Sequence, residues 1–361
     1  MKIAHHTFYF TKRLISITAT ALKPIRVANL LSINSEKVIC RPSISNMIRE
    51  DNWLMVDDIP TRLLSWGGRP GDKSLEASGS DSVILLLTGN PGMVGFYETF
   101  LAEVYNQLAI PVWVISHAGH EIPSKKEQEQ TGVTIVNGID KVYNVAEQVT
   151  HKADFIKQYI PEDKKIFILA HSFGAKVTVE LLKIPELRKR ITKCFLLFPT
   201  LEHMKETPSG KFLHPMFTVY LFSTIVFLSW IFTLFPVPFS NWLLKIVFMM
   251  KGHSSVDKTF LNATFRLIQP LCLRNVFGLA HDEMLIIVHL DKDVIAECKD
   301  KFKVYFGAED GWAPLTYQDR LREAVPGIDS STLDRRFRHD FVLDTSEELA
   351  QIIVDQIKKL R

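Results

Sequence analysis

The 361-residue sequence predicts the α/β class: a doubly wound, mostly parallel sheet with a helical, strongly apolar insertion. Three observations carry this. Several continuous apolar runs have strand length, as expected of strands covered by helices on both faces. Helical patterns fall between them, and that alternation builds a parallel sheet through right-handed crossovers. The alternation then breaks between about residues 205 and 298, where an uncharged stretch and several mixed helices interrupt it.

In chain order, the strand runs are SVILLLTG (82–89), PVWVISHAG (111–119), KKIFILAH (164–171), KCFLLFPT (193–200) and KFKVYFGA (301–308). Helices are expected at roughly 95–109, 134–160 and 173–184. The C-terminal DTSEELAQIIVDQIKKL reads as a closing helix. Its Thr345 and Glu348 have capping-box spacing, and its lysines lie at the C-terminal end. SWGGRPGDKSLEASGSDS (65–82) is a polar, turn-rich connection. The chain therefore divides into a basic N-terminal extension (1–50), the first part of an α/β core (51–204), the insertion (205–298) and the last part of the core (299–361). The insertion falls above the C-terminal edge of the sheet, where such sheets bind ligands.

Composition narrows the function classes. The chain is 47% hydrophobic and 23% charged, as in ordinary globular proteins. A net charge of +3 is too small to suggest nucleic-acid binding. Cys40, Cys194, Cys272 and Cys298 match no zinc or disulfide spacing and fit a reducing compartment. HAGH (117–120) sets two histidines at i, i+3, but without a nearby cysteine or an HExxH-like helix it reads as a loop. The extension carries Lys2, Lys12, Arg13, Lys23, Arg26, Lys37, Arg41 and Arg49 against Glu36 and Glu50. That bias fits a transit peptide, a disordered extension or a membrane-surface helix, and the three stay open.

Residues 212–244, FLHPMFTVYLFSTIVFLSWIFTLFPVPFSNWLL, contain no Asp, Glu, Lys or Arg. About 20 apolar residues would suffice to span a bilayer. However, PVP at 236–238 breaks the run, and Pro215 bounds its start. Lys211 and Lys245 lie just outside, and Trp230 and Trp242 suit an interface. One reading is a lid buried against the core. The favoured reading is a kinked helical hairpin that dips into one leaflet or into a lipid droplet monolayer, with both ends returning to water.

The chemistry centres on AHSFGAK (170–176). A serine hydroxyl is a poor nucleophile unless it is exposed and next to a base. A sharp strand-to-helix turn exposes Ser172, and such a turn needs small residues two before and two after, here Ala170 and Gly174. The bland alternative is a small residue where a strand meets a helix. LLLTGNPG (85–92) ends another strand and leads into a helix, the place for the second oxyanion donor. The backbone N–H groups of Asn90 and Phe173 are the expected pair; a structural Gly-Pro turn is the alternative. After the strand KVYFGA comes EDGWAP, with Asp310 at the strand end. After the short strand expected at TLDRRF comes RHDFVL, with His339 before the closing helix. Glu309 and Asp340 are the competing acids. The order Ser, Asp, His suits this kind of sheet, with His339 as base and Asp310 as its orienting acid. No cofactor or metal is needed.

Together these pieces resemble the α/β-hydrolase superfamily, and within it the lipid droplet-associated hydrolase family. LLLTGNPG, AHSFGAK, FGAEDGWAP, RHDFVL and the long uncharged insertion carry the resemblance, over about residues 51–361. It implies a serine hydrolase for neutral lipid esters, including cholesteryl esters, acting in lipid storage at droplets and the endoplasmic reticulum on their cytosolic face. Ser172 is then the nucleophile, Asp310 the acid and His339 the base. Ala170 departs from the general G-x-S-x-G pattern. The family does not explain the basic extension. A droplet-anchored scaffold with a slow or vestigial triad, or an acyltransferase using the same residues, is the alternative reading.

Overall fold

The computed structural model describes residues 49–71, 79–133, 141–218, 221–250 and 258–360. Nearly all of the basic extension lies outside the described residues.

Eight strands form one sheet in the order β1-β2-β4-β3-β5-β6-β7-β8. They are β1 (Arg49–Val56), β2 (Ile59–Trp66), β3 (Ser82–Leu87), β4 (Val112–Ile115), β5 (Lys165–His171), β6 (Ile191–Leu197), β7 (Phe302–Gly307) and β8 (Ser330–Leu333). From β4 onward in that order every pairing is parallel. The β1–β2 hairpin pairs antiparallel and is added at one edge through β2 and β4. The sequence analysis did not separate this hairpin from the core; its tight turn is Asp57-Asp58, with Asp57 at φ 49°.

The apolar runs are continuous because both faces of the sheet are covered. Val83, Leu85 and Leu87 pack on one side with Phe155, Ile156 and Ala175. Ile84 and Leu86 pack on the other with Phe100, Leu101 and Ile353. The helices behind these contacts are α1 (Glu98–Leu108), α3 (Val145–Tyr159), α4 (Phe173–Leu182) and, closing the chain, α13 (Ser346–Lys359); α2 (Lys125–Thr131) lies outside the core, and α5 (Pro185–Arg190) adds Leu187 to it. Between β6 and β7 come α6 (Pro208–Thr218), α7 (Leu221–Thr233), α8 (Val237–Met250), α9 (Lys258–Leu267), α10 (Pro270–Ile286) and α11 (Lys292–Glu297); α12 (Leu315–Ala324) follows β7.

Three sequence expectations change. The helix expected over 134–160 starts at Val145, because Asn144 and Glu147 form a reciprocal capping box there; residues 134–140 lie outside the described residues. At the last helix no Thr345 cap forms. The Thr345 hydroxyl faces the carbonyl of Phe341 instead, at 3.5 Å. Pro215 does not bound the apolar segment but sits inside α6.

The break in the apolar segment falls at Leu234–Pro236, and Val237 and Pro238 open α8, a position where proline costs no intrahelical hydrogen bond. Among the described residues no single helix is long and apolar enough to cross a membrane; α6 and α7 together qualify only as a pair bent by 76°. Nor is the described part of the segment wholly buried as a lid: Met216, Phe222 and Leu244 turn inward, but much of α7 and α8 does not. Phe227, Leu228, Trp230, Leu234, Phe235, Val237, Phe239 and Trp242 all face outward, Leu234 being 66% exposed. Patches of that kind mark interaction surfaces.

Candidate active site

β5 delivers Ser172 at its C-terminal end, and α4 starts at the next residue. Ser172 has φ 51° and ψ −116°, a conformation that side chains rarely adopt and that marks a strained turn. Its backbone is pinned from both directions: its N–H donates to Leu197 O at 3.0 Å, and its carbonyl accepts from Ala175 N–H at 3.0 Å. Gly174 shows why the turn needs small residues. A Cβ there would lie 2.2 Å from the Leu87 carbonyl oxygen on β3. Ala170 is fully buried between Leu87 and Leu196, so its methyl fits the sheet.

Three loops from distant parts of the chain meet at this serine. His339 Nδ1 lies 2.8 and 3.1 Å from the two oxygens of Asp310. A carboxylate only accepts, so Nδ1 carries the proton and Nε2 is the free acceptor. Ser172 Oγ stands 2.9 Å from that Nε2 and donates to it. Burial alone would raise the Asp310 carboxyl. The His339 ring and the N–H groups of Trp312 (2.7 Å) and Ala313 (3.0 Å) outweigh it and hold the carboxyl below its usual range. The competing acids point elsewhere: Glu309 pairs with Arg335 at 3.1 Å and Asp340 with Arg338 at 3.1 Å.

The loop after β3 closes the site on another side. A Cβ at Gly89 would sit 2.9 Å from Ser172 Cβ, so the loop runs directly against the serine. Phe173 is the first residue of α4, and its N–H therefore has no acceptor within the helix. The Asn90 side chain is turned toward the insertion, its Nδ2 donating to Val276 O at 2.9 Å and Glu283 Oε1 at 3.1 Å. Burial of Glu283 pushes its carboxyl up to about 8, while the bond from Asn90 opposes the rise.

His117 and His120 of the HAGH loop are both buried, with ring centroids 5.2 Å apart. Burial lowers both, His120 to about 4. Among the described residues no group of three or more His, Cys, Asp or Glu has the arrangement of a metal site.

The sequence analysis missed His171 and Tyr97. His171 Nδ1 is 2.7 Å from Tyr97 Oη, and its Nε2 is 2.9 Å from the His339 carbonyl oxygen. One signal was available: a lone polar residue ends the apolar strand FILAH. Tyr97 lies among mixed residues with no comparable mark. Glu283 was missed too, since its place in the insertion says nothing about what it reaches.

Comparison with known proteins bears on the family and the fold. A family model described as lipid-droplet associated hydrolase matches residues 80–342. A lipid droplet-associated hydrolase of Drosophila melanogaster is 32% identical over 317 residues, covering 86% of this chain and 99% of that protein. The Homo sapiens protein of that name is 30% identical over 281 residues, covering 76% of this chain and 84% of its own. Among solved structures, a serine hydrolase involved in carbazole degradation aligns with TM-score 0.54 at 14% identity, covering 87% of this chain and 100% of its own. A thioesterase domain from the curacin biosynthetic pathway aligns with TM-score 0.55 at 14% identity, covering 85% of this chain and 99% of its own. At such identities the structures establish the α/β-hydrolase fold.

Proposed function

The chain belongs to the lipid droplet-associated hydrolase family, and from that premise we propose that it is a serine ester hydrolase acting on neutral lipid esters, cholesteryl esters among them. The single observation that carries this reading is the hydrogen-bonded series Ser172–His339–Asp310, joined on a strained strand-to-helix turn. His339 takes the Ser172 proton as Oγ attacks the ester carbonyl carbon. The negative oxygen that results is stabilised by the N–H groups of Phe173 and Asn90 and by the N-terminus of α4. Collapse of the intermediate returns the proton to the leaving alkoxide and leaves an acyl-enzyme. Water, deprotonated by His339, then releases the fatty acid.

The work site in this reading is the lipid droplet surface and the cytosolic face of the endoplasmic reticulum. The apolar outer faces of α7 and α8 support it. Covering the exposed half of each large side chain would contribute roughly 1 kcal/mol apiece. A droplet core is oil with no aqueous far side, so a hairpin whose ends both return to water suits it.

The test is labelling by a fluorophosphonate probe, followed by turnover of emulsified cholesteryl and glyceryl esters. Labelling and turnover should both vanish in Ser172→Ala and His339→Ala. A folded, lipid-supplied wild-type protein that neither labels nor turns over any ester leaves the scaffold reading in its place. Transfer of the acyl group to added alcohol at the expense of hydrolysis would identify an acyltransferase.

A further inference from the structure

Tyr97 and His171 lie outside the Ser172–His339–Asp310 series, yet their side chains tie together the loops that frame the serine. His171 Nε2 is 2.9 Å from the His339 carbonyl oxygen. His171 Nδ1 is 2.7 Å from Tyr97 Oη, and Tyr97 Oη is 3.1 Å from the Gly89 nitrogen. The directions follow from the chemistry of each atom. A carbonyl only accepts, so His171 Nε2 carries a proton. Burial, then the neighbouring His339, lower the His171 ring to about 3, so it is neutral and its Nδ1 accepts. The Tyr97 hydroxyl therefore donates to Nδ1, and its oxygen is left to accept from the Gly89 N–H. One series runs from Gly89 N–H through Tyr97 and His171 to the backbone of His339.

The surroundings hold this series in one geometry. Tyr97 and His171 are buried. The His171 ring meets Phe198 and Phe341 edge-on, at centroid distances of 6.1 and 5.2 Å. Gly89 immediately precedes the proposed oxyanion residue Asn90, and His339 is the proposed base. Neither loop belongs to the strand that carries Ser172, whereas His171 does.

We propose that Tyr97 and His171 are positioning residues of the esterase step, setting the oxyanion loop and the base loop in register with the strand end that carries the nucleophile. This rests on the serine-hydrolase reading above. A displacement of about 1 Å at either loop is enough to cost on the order of 100-fold in rate. A merely structural tyrosine would lower thermal stability and leave the turnover of each folded molecule untouched.

The experiment uses the full chain with a short p-nitrophenyl ester, active sites being counted by end-point fluorophosphonate labelling. Tyr97→Phe should lower kcat per labelled site by at least about tenfold while KM stays within about twofold. His171→Gln retains a donor toward the His339 carbonyl, and His171→Asn retains an acceptor for Tyr97; each keeps half of the series and should fall between wild type and His171→Phe. Wild-type kcat per site in Tyr97→Phe overturns the proposal while leaving the hydrolase reading intact. A wild-type protein that does not label overturns the hydrolase reading and this inference with it. Where Tyr97→Phe does not fold, the two partial His171 variants decide: lowered kcat in both supports the series, and wild-type kcat in either overturns it.

Discussion

Ser172 illustrates what one residue asks of its neighbours. Its positive φ turns the hydroxyl toward His339, and the hydrogen bonds from His339 Nδ1 to Asp310 and from Ser172 Oγ to His339 Nε2 align it. Asp310→Asn keeps the shape but lets the amide donate to Nδ1, which favours the wrong tautomer of His339. Turnover is expected to fall by roughly 10³- to 10⁴-fold with KM little changed, as steady-state kinetics would read. The depressed Asp310 carboxyl also has a stability consequence. Its contribution is present above the ordinary carboxylate range and is lost as pH falls through its lower folded value. A melting series below pH 4 should show a loss in the wild type that Asp310→Asn lacks; parallel curves would refute that assignment. At this scale the sequence was legible where chain order constrains chemistry. Ser172, Asp310 and His339 were singled out by their places at or after strand ends, and the structure brings their side chains within hydrogen-bond distance. His171 and Tyr97 were not, because a buried hydrogen bond between residues 74 positions apart leaves no pattern in a sequence.

At the scale of elements, the elbow depends on β3 and α4 approaching closely. Gly174→Ala would drive a methyl to 2.2 Å from the backbone oxygen of Leu87, which cannot swing aside like a side chain. Destabilisation of several kcal/mol is expected, at or above the roughly 1–3 kcal/mol of ordinary overpacking. Denaturant unfolding would measure it, and a wild-type midpoint with intact labelling would show that the approach is looser than described. The link from α10 to the oxyanion loop predicts a pH effect of opposite sign. Glu283 is raised to about 8, so the folded chain retains a proton that the unfolded chain has released. Its stabilising contribution is complete below about pH 4.5 and is lost as pH rises through about 8. Glu283→Gln keeps an acceptor for Asn90 and cannot ionise. Its melting temperature should gain on the wild type steadily from pH 5 to pH 9; a constant difference would refute the link. Elements long enough to show a period were legible in the sequence. The capping at Asn144 rather than a start near 134 was not, nor was the β1–β2 hairpin, whose strands read as mixed residues until β2 is seen against β4.

For the whole molecule the contrast is between a buried chemical site and an apolar surface on α7 and α8. Ser172 is only 7% exposed, while Trp230 and Trp242 on the insertion are each more than half exposed. Charges placed at Phe227, Trp230, Leu234 and Trp242 together should release the protein from lipid droplets in a flotation assay. Turnover of a short soluble ester should stay within about twofold, because these side chains take no part in the hydrogen-bonded series. A variant that still floats with droplets would place the docking surface elsewhere on the chain.

The sequence by itself determined the alternation of buried strands and helices, because hydrophobic periodicity is a local property that burial on both faces of a sheet imposes. It also pointed to the loops at strand ends where the candidate serine, acid and histidine lie, since a fixed connectivity orders those loops along the chain. Only the tertiary structure decided which acid faces His339, that Gly89 lies against Ser172, that Tyr97 and His171 join the loops, and which apolar side chains of α7 and α8 face outward. Each of these depends on distances between segments far apart in sequence, and such distances are set by packing of the whole chain rather than by any local pattern.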